Sequence, residues 1–135
     1  MPAALLAYFA AVSSVAGTLT ISTDNSVYHE GETITFVIRN NGFATLAFPD
    51  PGLGLAIMNV DTGKFVYTGR LAPAMVYNIQ PLHSETTEWG GTELTRNAMG
   101  QIEYRAVEPG KYTASVSTAG GFEPKAKAEV SFLIG

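Results

Sequence analysis

The chain has 135 residues, 46% of them hydrophobic and only 15% charged, with a net charge of −4 and no cysteine. That length supports one domain with a real core, and the composition is globular rather than disordered. The acidic balance lacks the positive footprint that nucleic-acid binding needs, and the missing thiols exclude disulfides, thiolate metal sites and cysteine nucleophiles.

Residues 1–17 read MPAALLAYFAAVSSVAG, and no charged side chain precedes Asp24. Pro2 suits a first helical turn, and alanines at 3, 4, 7, 10 and 11 favour a helix and allow another to approach closely. Leu5, Phe9 and Val12, with Tyr8 and Val15, recur at helical spacings, and Leu6 adds to the same apolar surface. The expectation is an apolar N-terminal helix, set apart from a second unit over residues 18–135. A helix that is apolar all round must be buried by something, and neighbouring copies of the chain can do it. Leu5, Leu6, Tyr8, Phe9, Val12 and Val15 are therefore the candidate assembly residues. An apolar helix beneath a β-domain resembles, in outline, an archaeal type IV pilin or archaellum component. Other readings stay open. A secretory leader fits the apolar stretch and Ser14-Val15-Ala16, without a basic start. A membrane anchor would be short, about 25 Å of helix against about 30 Å of hydrocarbon. A strand donated to a neighbour's sheet edge, or an internal core element, would also use the segment.

From Gly17 onward the hydrophobic period is two. Glu32–Asn40 puts Ile34, Phe36 and Ile38 on one face, Lys111–Thr118 does the same with Tyr112, Ala114 and Val116, and Ala126–Leu133 with Ala126, Ala128, Val130 and Phe132. Such alternation marks antiparallel strands with one face in the core and one in water. Shorter strands are expected at Thr18–Ser22, Ala44–Phe48, Leu55–Val60, Lys64–Thr68, Met75–Ile79 and Ser84–Trp89. Asn41-Gly42 and Pro51-Gly52 mark turns, and Asp61-Thr62-Gly63 a tight hairpin with a left-handed glycine. Pro109-Gly110 suits a type II turn. Tyr112, early in its strand, is placed to form a tyrosine corner, and Trp89, the sole tryptophan, to plug the core. Gly90-Gly91 and Arg96–Tyr104 read as a long loop across one end, where recognition is usually carried. The expected fold is all-β, an immunoglobulin-like antiparallel β-sandwich with an apolar N-terminal helix.

The order SVYHEGETITFVIRNNG, MNVDTGKFVYTG, IQPLHSETTEW and VEPGKYTASV resembles the BsuPI family of intracellular proteinase-inhibitor-like domains, over roughly Thr18 to Ile134. The resemblance implies an immunoglobulin-like sandwich and, as an alternative function, a proteinase inhibitor acting through an end loop, with Arg96–Tyr104 as the candidate. Where that family often has Pro-Gly-Glu before the tryptophan strand, this chain has Pro81-Leu82-His83-Ser84-Glu85, and Tyr67 stands where a tryptophan is common.

No nucleophile elbow, phosphate loop, His-Glu-x-x-His pair or EF-hand loop is present in the sequence. His29 and His83 read as exposed turn residues. Asp24, Glu30, Glu32, Asp50 and Asp61 lie near turns, where calcium would need six to eight oxygens; their spacing is not compact and favours a solvated edge. Glu85, Glu88 and Glu93 around Trp89 alternate with threonines, as on the wet face of a strand. No catalytic, cofactor or metal residue is assigned. Tyr67, Tyr77, Tyr104, Phe43 and Phe122 exceed what a small core holds, so some should be exposed anchors for a partner. The expected function is a non-enzymatic extracellular structural or recognition module at the cell surface, a filament subunit that self-assembles through residues 1–17. Its partners are copies of itself, another surface protein or the membrane.

Overall fold

The computed structural model describes residues 12–13, 19–49, 52–68, 76–118 and 126–135. Apart from a 3-10 turn at Gly52–Gly54, the regular elements among them are strands. These are β1 (Val12–Ser13), β2 (Leu19–Thr23), β3 (Val27–Tyr28), β4 (Ile34–Asn40), β5 (Leu46–Pro49), β6 (Ala56–Asn59) and β7 (Phe65–Thr68). Then come β8 (Val76–Ile79), β9 (Ser84–Trp89), β10 (Thr92–Arg96), β11 (Ile102–Ala106), β12 (Gly110–Ser117) and β13 (Lys127–Ile134). The described part of the chain is all-β.

Strand pairing builds several antiparallel sheets. The largest runs β1-β13-β12-β6-β7, with β3 also on β13 as a parallel neighbour; β2-β4-β9 form a second, and β5–β8 and β10–β11 pair two by two. The alternating residues do what their period dictates. Ile34, Phe36 and Ile38 of β4, Tyr112, Ala114 and Val116 of β12, and Ala128, Val130 and Phe132 of β13 are all buried. Phe132 is the meeting point of the rings. It lies 5.8 Å from Phe36, 5.9 Å from Tyr28, 6.2 Å from Tyr112 and 6.3 Å from Trp89, centroid to centroid. Edge-on and offset rings at such spacings add to the apolar burial. Trp89 is buried as expected, and its Nε1–H donates to the Thr92 carbonyl at 2.9 Å.

Polar side chains tie down the ends. The Tyr112 hydroxyl donates to the carbonyl of Glu108 at 2.6 Å and accepts from Asn59 Nδ2 at 3.3 Å. Asn40, at the end of β4, is fully buried and uses its whole amide. Nδ2 donates to the carbonyls of Ala44 and Ile79 at 2.8 and 2.9 Å, and Oδ1 accepts from the Gly42 N–H at 3.0 Å. Its backbone binds the next crossing as well, taking the Leu82 N–H and donating to the His83 carbonyl. One side chain therefore joins β4, β8 and the approach to β5.

Turn chemistry follows the sequence in part. Gly63 has φ 74°, as the Asp61-Thr62-Gly63 hairpin between β6 and β7 requires, and Asn59 Oδ1 accepts from both Asp61 and Thr62 N–H. Gly110 does not complete a type II turn. Its φ of 157° is far from the value near +80° that such a turn needs, and it already pairs with Ile134 as the first residue of β12. The type II arrangement occurs instead at Gln80-Pro81-Leu82-His83, where His83 N–H donates to the Gln80 carbonyl and Leu82 is left-handed at φ 63°. The glycine missing from this stretch is missing at the one position that calls for it.

Two further expectations change. The stretch Arg96–Tyr104 is not a long loop: it belongs to a hairpin in which β10 and β11 pair in unbroken register from Thr92↔Ala106 to Arg96↔Ile102. At the other end of the chain, Val12 and Ser13 form β1, antiparallel to Glu129 and Ala128, so the expected helix does not run through these two residues. Pairing with a distant strand outweighs the local preference of an alanine-rich stretch. Leu5, Leu6, Tyr8, Phe9 and Val15 lie outside the described residues.

Candidate functional site

The β10–β11 hairpin is closed by Asn97-Ala98-Met99-Gly100. Asn97 stands at the first turn position, and its Oδ1 accepts the N–H groups of Met99 and Gln101 at 2.9 and 3.0 Å. The Gly100 N–H donates to the Asn97 carbonyl, and Gly100 takes φ 81° to return the chain into β11. Arg96 adds a clamp, donating from Nη1 to the Gly100 carbonyl at 2.7 Å. This is a type I turn followed by a left-handed residue, a common three-residue hairpin closure. The tip is held rigidly and presents Met99, which is 80% exposed.

The hairpin's strands carry an apolar face turned to solvent. Leu94 and Tyr104 stand opposite one another, with Ile102 beside them, and the three are 58%, 73% and 62% exposed. Between the hairpin and β7 lies a cleft of about 570 Å³, lined by Phe65, Tyr67, Trp89, Leu94 and Tyr104, with Glu88 and Glu93 as its carboxylates. Aromatic walls with two acidic groups suit an apolar or cationic side chain of a partner.

The sequence-derived residues divide around this site. Tyr104 belongs to it and is strongly exposed, whereas Tyr67 lines the cleft while packing on the core. Phe43, also exposed, sits apart on the turn after β4, Tyr77 is on β8, and Phe122 lies outside the described residues. Glu85 and Glu88 do not share one wet face: three residues apart in β9, they fall on opposite faces, and only Glu88 joins Glu93 in the cleft. Phe65, Leu94, Ile102 and Met99 were not anticipated. For Leu94, Ile102 and Met99 the signal was present in the Asn-x-x-Gly turn flanked by the alternation of TELTR and IEYRA.

His29 and His83 are exposed turn residues. Among the described residues, no three His, Asp or Glu side chains come together as metal ligands. Asp24 accepts a hydrogen bond from the Tyr28 hydroxyl, Glu32 caps the His29 N–H, Asp61 stands in the β6–β7 turn, and Asp50 lies outside the described residues. Burial, seconded by the bond to Asp24, pushes the Tyr28 phenol well above its ordinary range, and burial also raises that of Tyr112. Both hydroxyls are structural.

Compared with family models, curated proteins and solved structures, the chain shows no significant match.

Proposed function

We propose that the chain is a non-enzymatic extracellular module, an immunoglobulin-like β-sandwich that assembles into a cell-surface filament through its apolar residues 1–17. The observation that carries this reading is the contrast between two parts of one chain. An uncharged run extends to Thr23, ahead of strands whose own rings already pack around Phe132. Val12 and Ser13 already pair with β13 of the same chain, and the rest of an apolar segment beside a core filled by its own strands needs another surface to bury it. The sandwich reading draws on the strand orders β13-β12-β6-β7 and β2-β4-β9, on Phe36 and Trp89 meeting Phe132 between them, and on the back-reach of Tyr112 to Glu108.

Negative-stain electron microscopy of the full chain tests the assembly. The expected result is regular fibres from the wild type and dispersed particles from a Leu5→Lys, Phe9→Lys variant of equal thermal stability. Dispersed particles from both would overturn it.

A second reading, proteinase inhibition, draws on the hairpin tip. Met99 is exposed on a turn fixed in advance by Asn97 and Arg96, and a preorganised loop loses little entropy on docking. Stoichiometric inhibition lost on Met99→Gly would support it. No inhibition across a protease panel at micromolar concentration would remove it.

A further inference from the structure

Among the described residues, the outer edge of β11 is open. In the two-stranded sheet β10–β11 it pairs, among these residues, with β10 alone, all five of its residues are exposed, and no bulge or proline interrupts it. By contrast, the outer edge of β13 is occupied by β1 and β3 of the same chain.

Hydrogen-bond phase shows which groups the open edge offers. Asn97 N–H donates to the Gln101 carbonyl, and Val107 N–H to the Gly91 carbonyl. In an antiparallel ladder, bonded and non-bonded pairs alternate. Bonded pairs therefore fall at Thr95↔Glu103 and Glu93↔Arg105. Ile102, Tyr104 and Ala106 occupy the alternate positions, so their N–H and C=O groups point away from β10, towards the free edge.

The side chains along that edge match their own reversal. Read antiparallel against itself about Tyr104, the stretch Ile102-Glu103-Tyr104-Arg105-Ala106 sets Glu103 against Arg105 and Arg105 against Glu103. It sets Ile102 against Ala106 and Tyr104 against its own copy. Opposite charges directly across an antiparallel pair are favourable and like charges are not. The apolar residues of both strands lie on the face that already carries Leu94, and the charged pairs lie on the other.

We propose that two copies of the chain pair edge to edge through β11, about a two-fold axis at Tyr104. The pairing makes a continuous four-stranded sheet, β10-β11 followed by β11-β10 of the second copy. About six main-chain hydrogen bonds join the copies, and two Glu103–Arg105 pairs fix the register. The interface is isologous, as a closed dimer requires. It is independent of residues 1–17, so a chain that assembles through that segment would use β11 as a second, distinct contact.

Sedimentation velocity on the full chain tests this by charge reversal. Glu103→Arg places arginine opposite arginine in the dimer, and Arg105→Glu places glutamate opposite glutamate. Each alone should weaken the dimer by about tenfold or more. The double reversal restores self-complementarity, and an equimolar mixture of the two single variants should give a heterodimer. Both surface changes leave the core untouched, and equal melting temperatures check the fold. Because the chain has no cysteine of its own, Tyr104→Cys gives an independent readout: mild oxidation should cross-link it across the axis faster than Glu103→Cys. A wild type that stays monomeric at high micromolar concentration would overturn the proposal. So would association indifferent to the reversals, or equal cross-linking at positions 103 and 104.

Discussion

Replacing Asn40 by aspartate changes one NH2 group for an oxygen and tests how the end of the fold is held. In the native protein the amide donates to the carbonyls of Ala44 and Ile79 and accepts from Gly42 N–H, with no exposure to water. Aspartate keeps the acceptor but turns a carboxylate oxygen towards two carbonyl oxygens. Two hydrogen bonds of about 1 kcal/mol each are lost, and two buried carbonyls are left without donors at about 1–3 kcal/mol apiece. A penalty of at least about 4 kcal/mol near neutral pH is expected, a large share of the roughly 5–15 kcal/mol that keeps a domain folded. The sign of its pH dependence follows from the site. Burial and the facing carbonyls raise the folded pKa of the new carboxyl above its unfolded value of about 3.9. Stability is then greatest below that unfolded value and falls as pH rises towards the folded one, by about 1.4 kcal/mol per unit. Urea denaturation of Asn40→Asp and wild type, followed by circular dichroism between pH 4 and 7, should show the gap widening with pH. Asn40→Ala should be destabilised to a similar extent with no such slope. A gap that is constant with pH, or below 1 kcal/mol throughout, would refute the reasoning.

Removing the Tyr112 hydroxyl as Tyr112→Phe should cost about 1–2 kcal/mol, since the Glu108 carbonyl loses its donor, and should lower the melting temperature by several degrees. Leu82→Gly relieves a left-handed non-glycine conformation worth about 1–2 kcal/mol, offset by about 0.5–1 kcal/mol of chain entropy. A small rise in the urea midpoint is expected, and a fall of more than 1 kcal/mol would show that the turn needs the leucine side chain. Tyr28 and Tyr112, both raised by burial, should resist ionisation in the folded protein while the unfolded chain ionises near pH 10. Stability held below that pH should therefore be lost as the solution becomes more alkaline, and Tyr28→Phe should flatten the fall; absorbance at 295 nm together with denaturation midpoints checks both.

The sequence made the core legible because alternation is a local signal: Ile34, Phe36 and Ile38 announce their face without knowing their partners. The β10–β11 hairpin was harder to read because its apolar residues, Leu94, Ile102 and Tyr104, turn outwards, so periodicity there does not mark a core. The role of Asn40 could not be read at all. One of its partners, Ile79, is 39 positions away, and a single asparagine before Asn41-Gly42 looks like ordinary turn punctuation. Leu82 lies between these extremes. The absent glycine was visible, but the left-handed backbone that makes the absence matter was not. Of the candidate cleft, Tyr67, Tyr104, Trp89 and the two glutamates were marked individually, and only the fold shows that they share a wall.

Strand β13 pairs with β12 on one side and with β1 and β3 on the other, through Leu133 N–H to Ser26 O and Gly135 N–H to Tyr28 O. Its partners Val27 and Leu133 are roughly a hundred residues apart, and Phe132 from the same strand is the hub of the aromatic core. On the ribosome β2 and β4 can pair early, but β1 and β3 must wait for β13, their partner strand, to be synthesised. Closure of this sheet edge is late, with a high loop-closing cost and the slow rate typical of non-local β pairing. During that interval the chain relies on whatever keeps exposed strands apart, and charge is scarce: none precedes Asp24.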